Sequence, residues 1–274
     1  MKPAMSEHNK GAYLLTGATG AIGKEIADYL AAQGEPIILA CRNTQKAETL
    51  KRELQTKHKK CKSINVVELD LSSERSVRQC VEDIKSLLIL DIVHTETSEQ
   101  QYYKSRLNGI INNAGIMNRR FITDDSGCEH TMRVNYLNTM LLNELLKSEI
   151  ADNGTIVFTT SLTRFLHRRK DYPTTFPKNK FSQLGTYGKS KRMITEYARR
   201  LSEELRPLNI RVNCADPGIV NSEMIRMQRW YDCLADIIFR PFIRSPHNGA
   251  KPTIRAIKSS TTGLIYCRWL THKI

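Results

Sequence analysis

The chain contains no Cys-x-x-Cys pair, and none of its apolar runs is long enough to span a bilayer. Its seven cysteines are scattered, which is typical of reduced, mostly buried thiols rather than of a disulfide framework or a zinc site. The chain also lacks internal repeats and linkers rich in proline, glycine or serine. These absences predict a single soluble domain over residues 1–274, without a metal site, in the cytoplasm.

The chain has few acidic residues. It contains 28 Asp and Glu and 42 Lys and Arg, which gives a formal net charge of +14. Such a surface attracts phosphates without sequence preference, but we expect no specific nucleic-acid contact. The cations concentrate in residues 164–180 and 226–258, where aromatic residues are interleaved with them. A lid over the substrate, a peripheral membrane patch and a solvated face all fit this mixture.

Short, continuous apolar runs alternate with helical stretches along the whole chain. The predicted strands are residues 12–16, 36–41, 63–68, 109–112, 155–159, 210–214 and 263–266. The predicted helices are residues 21–33, 44–57, 74–88, 128–147, 187–206 and 222–239. This alternation predicts an α/β fold, a single-domain doubly wound parallel sheet of about seven strands with helices on both faces. The polar stretch of residues 90–106 is predicted to be an inserted surface loop.

A glycine-rich segment, Thr-Gly-Ala-Thr-Gly-Ala-Ile-Gly at residues 16–23, joins the first predicted strand to the first predicted helix. Gly17 supplies the positive φ that a sharp turn needs, and with Gly20 it leaves room for phosphates at the main chain. Gly23 lets the helix pack closely on the strand, while the helix N-terminus attracts an anion. The segment therefore predicts a dinucleotide pyrophosphate site.

The residue after the second predicted strand favours NADP over NAD. NAD-binding proteins of this kind usually place a carboxylate there for the ribose 2′-hydroxyl, whereas this chain has Arg42. A guanidinium can pair with a 2′-phosphate through two charge-assisted hydrogen bonds, whereas a carboxylate would repel that phosphate. The alternative, that Arg42 is a solvated loop cation, stays open.

A candidate catalytic pair lies four residues apart on one predicted helix. Tyr187 and Lys191 share a helical face, and an ammonium beside a phenol is expected to lower the pKa of Tyr187 from about 10. Ser161 follows the apolar run of residues 156–160, and Asn112 and Asn113 end another run. Ligands bind outside the carboxyl ends of parallel strands, so these side chains are expected at the same edge as the cofactor.

With these motifs, nearly the whole chain resembles the short-chain dehydrogenase/reductase family, a family of Rossmann-fold enzymes, and within it the retinol-dehydrogenase-like reductases. The similar segments are Ala40-Cys41-Arg42, Leu69-Asp70-Leu71, Asn112-Asn113-Ala114-Gly115, Tyr187-x-x-x-Lys191, Asp216-Pro217-Gly218, and residues 240–246, Arg-Pro-Phe-Ile-Arg-Ser-Pro.

The resemblance implies a catalytic tetrad of Asn135, Ser161, Tyr187 and Lys191. Tyr187 would be the acid and base, Ser161 would orient the substrate oxygen, Lys191 would tune Tyr187 and hold the nicotinamide ribose, and Asn135 would support a proton-relay water. Asp70 would contact the adenine, Asn113 the adenosine side and Ser222 the nicotinamide or a phosphate. The full implied cofactor set is Gly17, Thr19, Gly20, Ala21, Ile22, Gly23, Arg42, Asp70, Leu71, Asn113, Ala114, Gly115, Tyr187, Lys191, Pro217, Gly218, Val220 and Ser222.

These observations predict an NADP(H)-dependent oxidoreductase that moves a hydride between the nicotinamide and a lipophilic alcohol, ketone or aldehyde. A variable lid is expected over residues 222–246, and the resemblance implies a homo-oligomer. Two alternatives remain open at this stage. One is a catalytically silent NADP-binding interaction module, and the other is a nucleic-acid-binding protein whose salt-dependent binding would survive saturation with NADPH.

Overall fold

The computed structural model describes residues 11–61, 63–89, 92–93, 101–102, 105–168, 171–220, 244–268 and 270–274. The main sheet of these residues has the strand order β10-β9-β8-β7-β6-β1-β2-β3. Its strands are β1 Ala12–Thr16, β2 Ile37–Cys41, β3 Ile64–Glu68, β6 Leu107–Asn112, β7 Ile150–Thr159, β8 Arg211–Ala215, β9 Leu264–Tyr266 and β10 Thr271–Lys273. Every neighbouring pair is parallel except β10 with β9. The strand order reverses direction between β1 and β6, which is where open α/β sheets bind ligands.

Helices cover both faces of the sheet. They are α1 Ala21–Ala32, α2 Thr44–Lys57, α3 Glu74–Ile89, α4 His130–Met132, α5 Asn138–Leu146, α6 Gln183–Glu204 and α7 Pro246–Lys258. Leu14 and Leu15 are adjacent on β1 and fully buried, yet they belong to different core clusters. Because successive strand residues point to opposite faces, each cluster fills one side of the sheet. The cluster with Leu14 includes residues of α3, α5 and α6, and the cluster with Leu15 includes residues of α1, α2 and α7.

The predicted α/β fold and its parallel sheet are confirmed, with shifts at element ends. α6 begins one turn before the prediction, because Ser182 caps it by accepting a hydrogen bond from Gly185 N at 3.3 Å. Residues 128–147 were predicted to be one helix, but the chain passes from α4 through a π-helical turn, Arg133–Leu137, into α5.

α7 and β10 were missed by the sequence reasoning. α7 contains Pro252 in its interior, and such a residue predicts a helix end. Pro246 lies in the first turn, where its missing N–H costs nothing, and Ser245 caps the helix by accepting from Asn248 N. β10 is a short strand of polar, exposed residues, so it carries no apolar signal.

Within the predicted surface insertion of residues 90–106, β4 Ile92–Val93 pairs antiparallel with β5 Gln101–Tyr102. The predicted helix 222–239, Ser222 and most of the predicted lid lie outside the described residues. The six cysteines of the described ranges are all unpaired, and five of them are buried. In the same ranges no helix combines the length and apolar character needed to cross a membrane.

Candidate active site

The glycine-rich turn has the backbone that its sequence predicts. Gly17 has a φ of +65°, and a Cβ added there would lie 2.8 Å from Ala114 Cα. A Cβ on Gly23 would lie 2.2 Å from Gly17 O, so side chains are excluded at both positions by neighbouring backbone. Gly20 is different, because the nearest atom to an added Cβ is 3.4 Å away. Gly17 and Gly23 therefore shape the turn, while Gly20 leaves it open.

The N-terminus of α1 fits an anion. Gly20 is the N-cap residue and offers no side-chain acceptor, and the first turn, which begins with Ala21 and Ile22, contains no acidic residue. The helix start thus has free N–H groups and no opposing charge, which is the donor set a pyrophosphate requires. Val220 lies beside this turn, since the space next to Gly249 is bounded by both Val220 and Ile22.

Thr16 and Asn113 tie the glycine-rich turn to the end of β6. Thr16 Oγ1 accepts hydrogen bonds from Asn113 N at 3.1 Å and from Ala114 N at 3.0 Å. The Asn113 side chain donates to Thr16 O at 3.2 Å and to Gly17 O at 3.1 Å. Asn113 therefore lies at the predicted cofactor turn, and its amide holds the backbone there. Thr16 was not predicted from the sequence as a site residue, although its position at the end of the strand before the glycines indicates such a role.

The ends of β2 and β3 carry the residues predicted for the adenosine half. Arg42 follows β2 directly and is exposed, and it makes no hydrogen bond or ion pair with any described residue. Asp70 follows β3, and its Oδ1 accepts from Ser72 N at 2.9 Å and from Ser72 Oγ at 2.8 Å. The next residue, Leu71, is buried, and its carbonyl accepts from Asn138 Nδ2 at 2.9 Å.

Tyr187, Lys191 and Ser161 meet at the carboxyl end of β7. Lys191 is buried, its Nζ donates to Thr159 O at 2.8 Å, and Nζ lies 5.6 Å from the centroid of the Tyr187 ring. Tyr187 is half-buried and shares a hydrogen bond with the Ser161 side chain. Ser161 Oγ also accepts from Thr163 N at 3.3 Å and from Thr163 Oγ1 at 3.1 Å. The structure thus brings the predicted phenol, ammonium and hydroxyl into one group.

The pKa of Tyr187 moves opposite to the expectation from sequence, which was wrong on this point. Burial raises the pKa of Tyr187 to about 12, with a further increase from the negative charge of Asp216, and the Ser161 hydrogen bond only partly offsets both. Burial also lowers the pKa of Lys191 to about 8, although Asp216 and Cys214 act in the opposite direction. Loss of solvation therefore outweighs the neighbouring ammonium, and Tyr187 is a neutral proton donor at pH 7.

Asn135 lies in the π-helical turn and closes the group from the other side. Its Oδ1 accepts from Ile116 N at 2.8 Å, while its Nδ2 donates to Ile116 O at 2.8 Å and to Ser190 Oγ at 3.0 Å. A Cβ added to Gly115 would lie 3.3 Å from both Asn135 Oδ1 and Lys191 Nζ. Asn135 and Lys191 therefore border the same space at Gly115, and the π-turn is the local irregularity that places the amide there.

A buried ion pair behind Ser161 was not anticipated. Arg164 is 1 % exposed and Asp216 is 3 % exposed, and Arg164 Nη1 donates to Asp216 Oδ2 at 2.8 Å and to Ser161 O at 2.8 Å. Asp216 Oδ1 accepts from Gly218 N at 2.9 Å. The prediction that Arg164 belongs to the cations of a lid or a solvated face is therefore wrong, because its side chain is buried. In the sequence, the position of Asp216 directly before Pro217-Gly218 was the feature that could have indicated a structural role for this aspartate.

Apolar side chains follow Ser161 and also form a separate aromatic group. Leu162 and Phe165 follow Ser161 in a 3-10 helix and are 54 % and 67 % exposed, so neither belongs to the core. Phe121 packs against Phe176 and Phe181 with ring centroids 5.9 and 5.8 Å apart. At the other side, Arg244 Nη1 donates to Pro217 O at 3.0 Å, and residues 220 and 244 form a β-bridge. The flanks of the predicted lid therefore meet beside the Pro217-Gly218 turn.

The sequence model of the short chain dehydrogenase family matches residues 12–230. Human retinol dehydrogenase 11 is 30% identical over 247 residues, which cover 88% of this chain and 70% of that protein. Bovine retinol dehydrogenase 12 is 29% identical over 244 residues, covering 88% of this chain and 71% of that protein. A short-chain dehydrogenase of Shigella flexneri, solved in complex with NADP, superimposes with a TM-score of 0.68 at 20% identity, covering 96% of this chain and 98% of that one.

The family match spans most of the sheet, including the glycine-rich turn and the Tyr187 and Lys191 pair. The two retinol dehydrogenases align over most of this chain. The chain therefore belongs to the short-chain dehydrogenase family, within its retinol-dehydrogenase-like subgroup.

Proposed function

We propose that the protein is an NADP-dependent oxidoreductase that interconverts an alcohol and its aldehyde or ketone, with Tyr187 as the proton donor and acceptor. The observation that carries the proposal is the group formed by Tyr187, Lys191 and Ser161 at the sheet edge that holds the glycine-rich turn. When bound there, the nicotinamide supplies the hydride chemistry. The protein supplies orientation and the proton.

The protonation states of the group suit carbonyl reduction. With a pKa of about 12, Tyr187 keeps its proton at neutral pH and can donate it to the substrate oxygen as negative charge develops. Ser161 hydrogen-bonds the phenol and can orient the same oxygen. Lys191, with a pKa of about 8, is mostly charged at pH 7, and its ammonium stabilises the phenolate that remains after proton transfer. Asn135 holds the backbone of Ile116 beside this group.

The proposed cofactor site joins the residues that border the crevice. The N-terminus of α1, with Gly17, Thr19, Gly20, Ala21, Ile22 and Gly23, would hold the pyrophosphate. Asp70, Leu71 and Asn113 would border the adenosine, and Ala114, Gly115, Pro217, Gly218 and Val220 would border the nicotinamide half. Arg42 is exposed and has no partner among the described residues, so it is available for a 2′-phosphate. Ser222 belongs to the proposal on family resemblance alone.

The proposed substrate is a lipophilic carbonyl compound or alcohol. Support comes from the exposed side chain of Leu162, which directly follows Ser161. The names of the two mammalian relatives, retinol dehydrogenases, indicate the same class of molecule. Retinaldehyde is therefore the first compound to test, together with a panel of smaller aldehydes and ketones.

The function is tested with Tyr187→Phe, which removes one oxygen and keeps the ring. We expect turnover of NADPH with the best carbonyl substrate to fall by about 10²–10⁴-fold, while NADPH affinity changes less than about twofold, because the hydroxyl acts as general acid. Tyr29→Phe is the matched control on α1, where the ring contacts Lys258. Full activity in Tyr187→Phe would refute the assigned role. Tight NADPH binding without turnover of any carbonyl compound would favour the silent binding module.

Cofactor preference is tested separately with Arg42→Asp. We expect a loss of NADPH affinity of about tenfold or more with little change for NADH, because a carboxylate repels the 2′-phosphate and can accept from a 2′-hydroxyl. Arg52→Asp is the control, since Arg52 is an exposed cation on the neighbouring α2. Calorimetric titration of both nucleotides measures the effect. Equal losses for NADPH and NADH would show that Arg42 does not read the phosphate.

A further inference from the structure

Thr163 makes two hydrogen bonds to the side chain of Ser161. It lies in the 3-10 helix Leu162–Leu166, which Ser161 caps. Thr163 N donates to Ser161 Oγ at 3.3 Å, and Thr163 Oγ1 donates to the same oxygen at 3.1 Å. The first bond belongs to the helix cap and does not depend on the side chain at position 163. The second bond depends on the threonine hydroxyl, which therefore adds a donor that the cap itself does not need.

The two bonds from Thr163 occupy the acceptor positions of the Ser161 hydroxyl. A serine oxygen has two lone pairs and one O–H. With both lone pairs engaged, the O–H is what this side chain offers to Tyr187, with which it shares a hydrogen bond. Ser161 is thus the donor in that bond and Tyr187 the acceptor. A hydroxyl that also accepts a hydrogen bond is polarised into a stronger donor.

The backbone around Ser161 is held from two sides. Thr160 Oγ1 lies 2.6 Å from Thr195 Oγ1 on α6. Arg164 Nη1 donates to Ser161 O and to Asp216 Oδ2, each at 2.8 Å. These contacts fix the turn, but they do not involve the Ser161 hydroxyl. They therefore leave the direction of its O–H to be set by other groups.

Thr163 is close to the part of α6 that carries Tyr187. A Cβ added to Gly188, the residue after Tyr187, would lie 2.9 Å from Thr163 O. The missing side chain at Gly188 therefore lets the 3-10 helix approach α6 closely. Thr163, Ser161 and Tyr187 form one chain of hydroxyl groups across this contact.

We propose that Thr163 is a positioning residue, whose hydroxyl directs the O–H of Ser161 toward the substrate oxygen. This role rests on the proposed function, in which Ser161 and Tyr187 act on that oxygen. Because Ser161 donates and does not accept, the proton of Tyr187 is not drawn toward Ser161 and is left for the substrate. Two donors then converge on the oxygen where negative charge develops during carbonyl reduction.

The test is Thr163→Val, which keeps the β-branched shape and removes the hydroxyl. We expect kcat for carbonyl reduction to fall by about three- to tenfold, since one neutral hydrogen bond is lost, while KM for NADPH changes less than about twofold. Thr163→Ser keeps a hydroxyl and should restore kcat to within about twofold of the parent protein. Thr56→Val is the matched control, because Thr56 is exposed on α2 and its Oγ1 donates to Arg52 O at 2.8 Å.

A double-variant cycle with Ser161→Ala separates positioning from a structural effect. Without the Ser161 hydroxyl, Thr163 has no group to direct, so Thr163→Val should leave the kcat of Ser161→Ala unchanged. An equal loss in both backgrounds would overturn the inference, and so would a parent-like kcat in Thr163→Val. If Ser161→Ala has too little activity for the comparison, the rescue by Thr163→Ser decides, and a kcat of Thr163→Ser as low as that of Thr163→Val overturns the inference.

A crystal structure of the full chain with NADPH gives a readout that needs no turnover. We expect Thr163 Oγ1 and Tyr187 Oη both to lie within hydrogen-bond distance of Ser161 Oγ. A Thr163 hydroxyl turned away from Ser161 would overturn the inference, whether or not the protein reduces a carbonyl compound. The absence of turnover with every carbonyl compound would instead refute the proposed function, so the two failures are distinguishable.

Discussion

Asp216→Asn is expected to destabilise the protein strongly, because it removes the counter-charge of a guanidinium that is 1 % exposed. Asparagine keeps the size of the side chain and an oxygen that can accept from Gly218 N, which the carboxylate now binds at 2.9 Å. What it removes is the charge facing Arg164 Nη1 at 2.8 Å. The substitution therefore isolates the cost of leaving Arg164 buried and unpaired.

Breaking one side of a buried ion pair typically costs about 3–5 kcal/mol of unfolding free energy. For a chain of 274 residues, an unfolding entropy of about 2.1 cal/mol/K per residue gives roughly 0.6 kcal/mol/K in total. The melting temperature should then fall by about 5–9 °C. Arg164 Nη1 retains its bond to Ser161 O, so the lower part of that range is expected.

Urea unfolding followed by circular dichroism measures the free energy, and the double variant Arg164→Met/Asp216→Asn separates charge from packing. With both charges removed, no orphaned ion remains, so the double variant should be more stable than Asp216→Asn alone. Asp152→Asn is the control, since Asp152 is 92% exposed and its contact with Arg106 is 3.8 Å long. It should change stability by less than about 1 kcal/mol.

If Asp216→Asn is as stable as Asp152→Asn, or if the double variant is no more stable than Asp216→Asn, then the unpaired Arg164 charge does not determine the loss of stability. Activity offers a second readout, because the Asp216 charge raises the pKa of both Tyr187 and Lys191. The pKa of Lys191 should therefore fall further in Asp216→Asn.

Two further predictions concern the turn and the lysine. Gly23→Ala should lower the unfolding free energy by about 1–3 kcal/mol and weaken NADPH binding, because its Cβ would lie 2.2 Å from Gly17 O. In Gly20→Ala the nearest atom to the added Cβ is 3.4 Å away, so this variant should melt at the temperature of the parent protein. Similar melting temperatures of the two variants would contradict the prediction. The rate of carbonyl reduction should fall as the pH rises through about 8, because Lys191 loses its proton there while Tyr187 keeps its own until about pH 12. A rate that increases through pH 8 would contradict the role given to the Lys191 ammonium.

The parallel sheet and the cofactor turn were predictable from the sequence because their signals are local. Continuous apolar runs of about five residues indicate strands covered on both faces, and β1 and α2 were predicted at their observed ends. The positive φ of Gly17 follows from the glycine itself. α7 was missed because its prolines are local signals against a helix, while packing of its buried residues against the sheet decides its structure.

Sequence alone also determined which side chains share the carboxyl edge, since Tyr187 and Lys191 are one helical turn apart and Ser161 follows the end of β7. The sequence did not determine the protonation states of Tyr187 and Lys191. Burial sets the pKa of Tyr187 to about 12, and burial arises only when α6 packs over β7 and β8. The pairing of Arg164 with Asp216, 52 residues apart, depends on the same packing. Spacing along the chain determines which groups can meet, and the tertiary structure determines how much solvent each one loses.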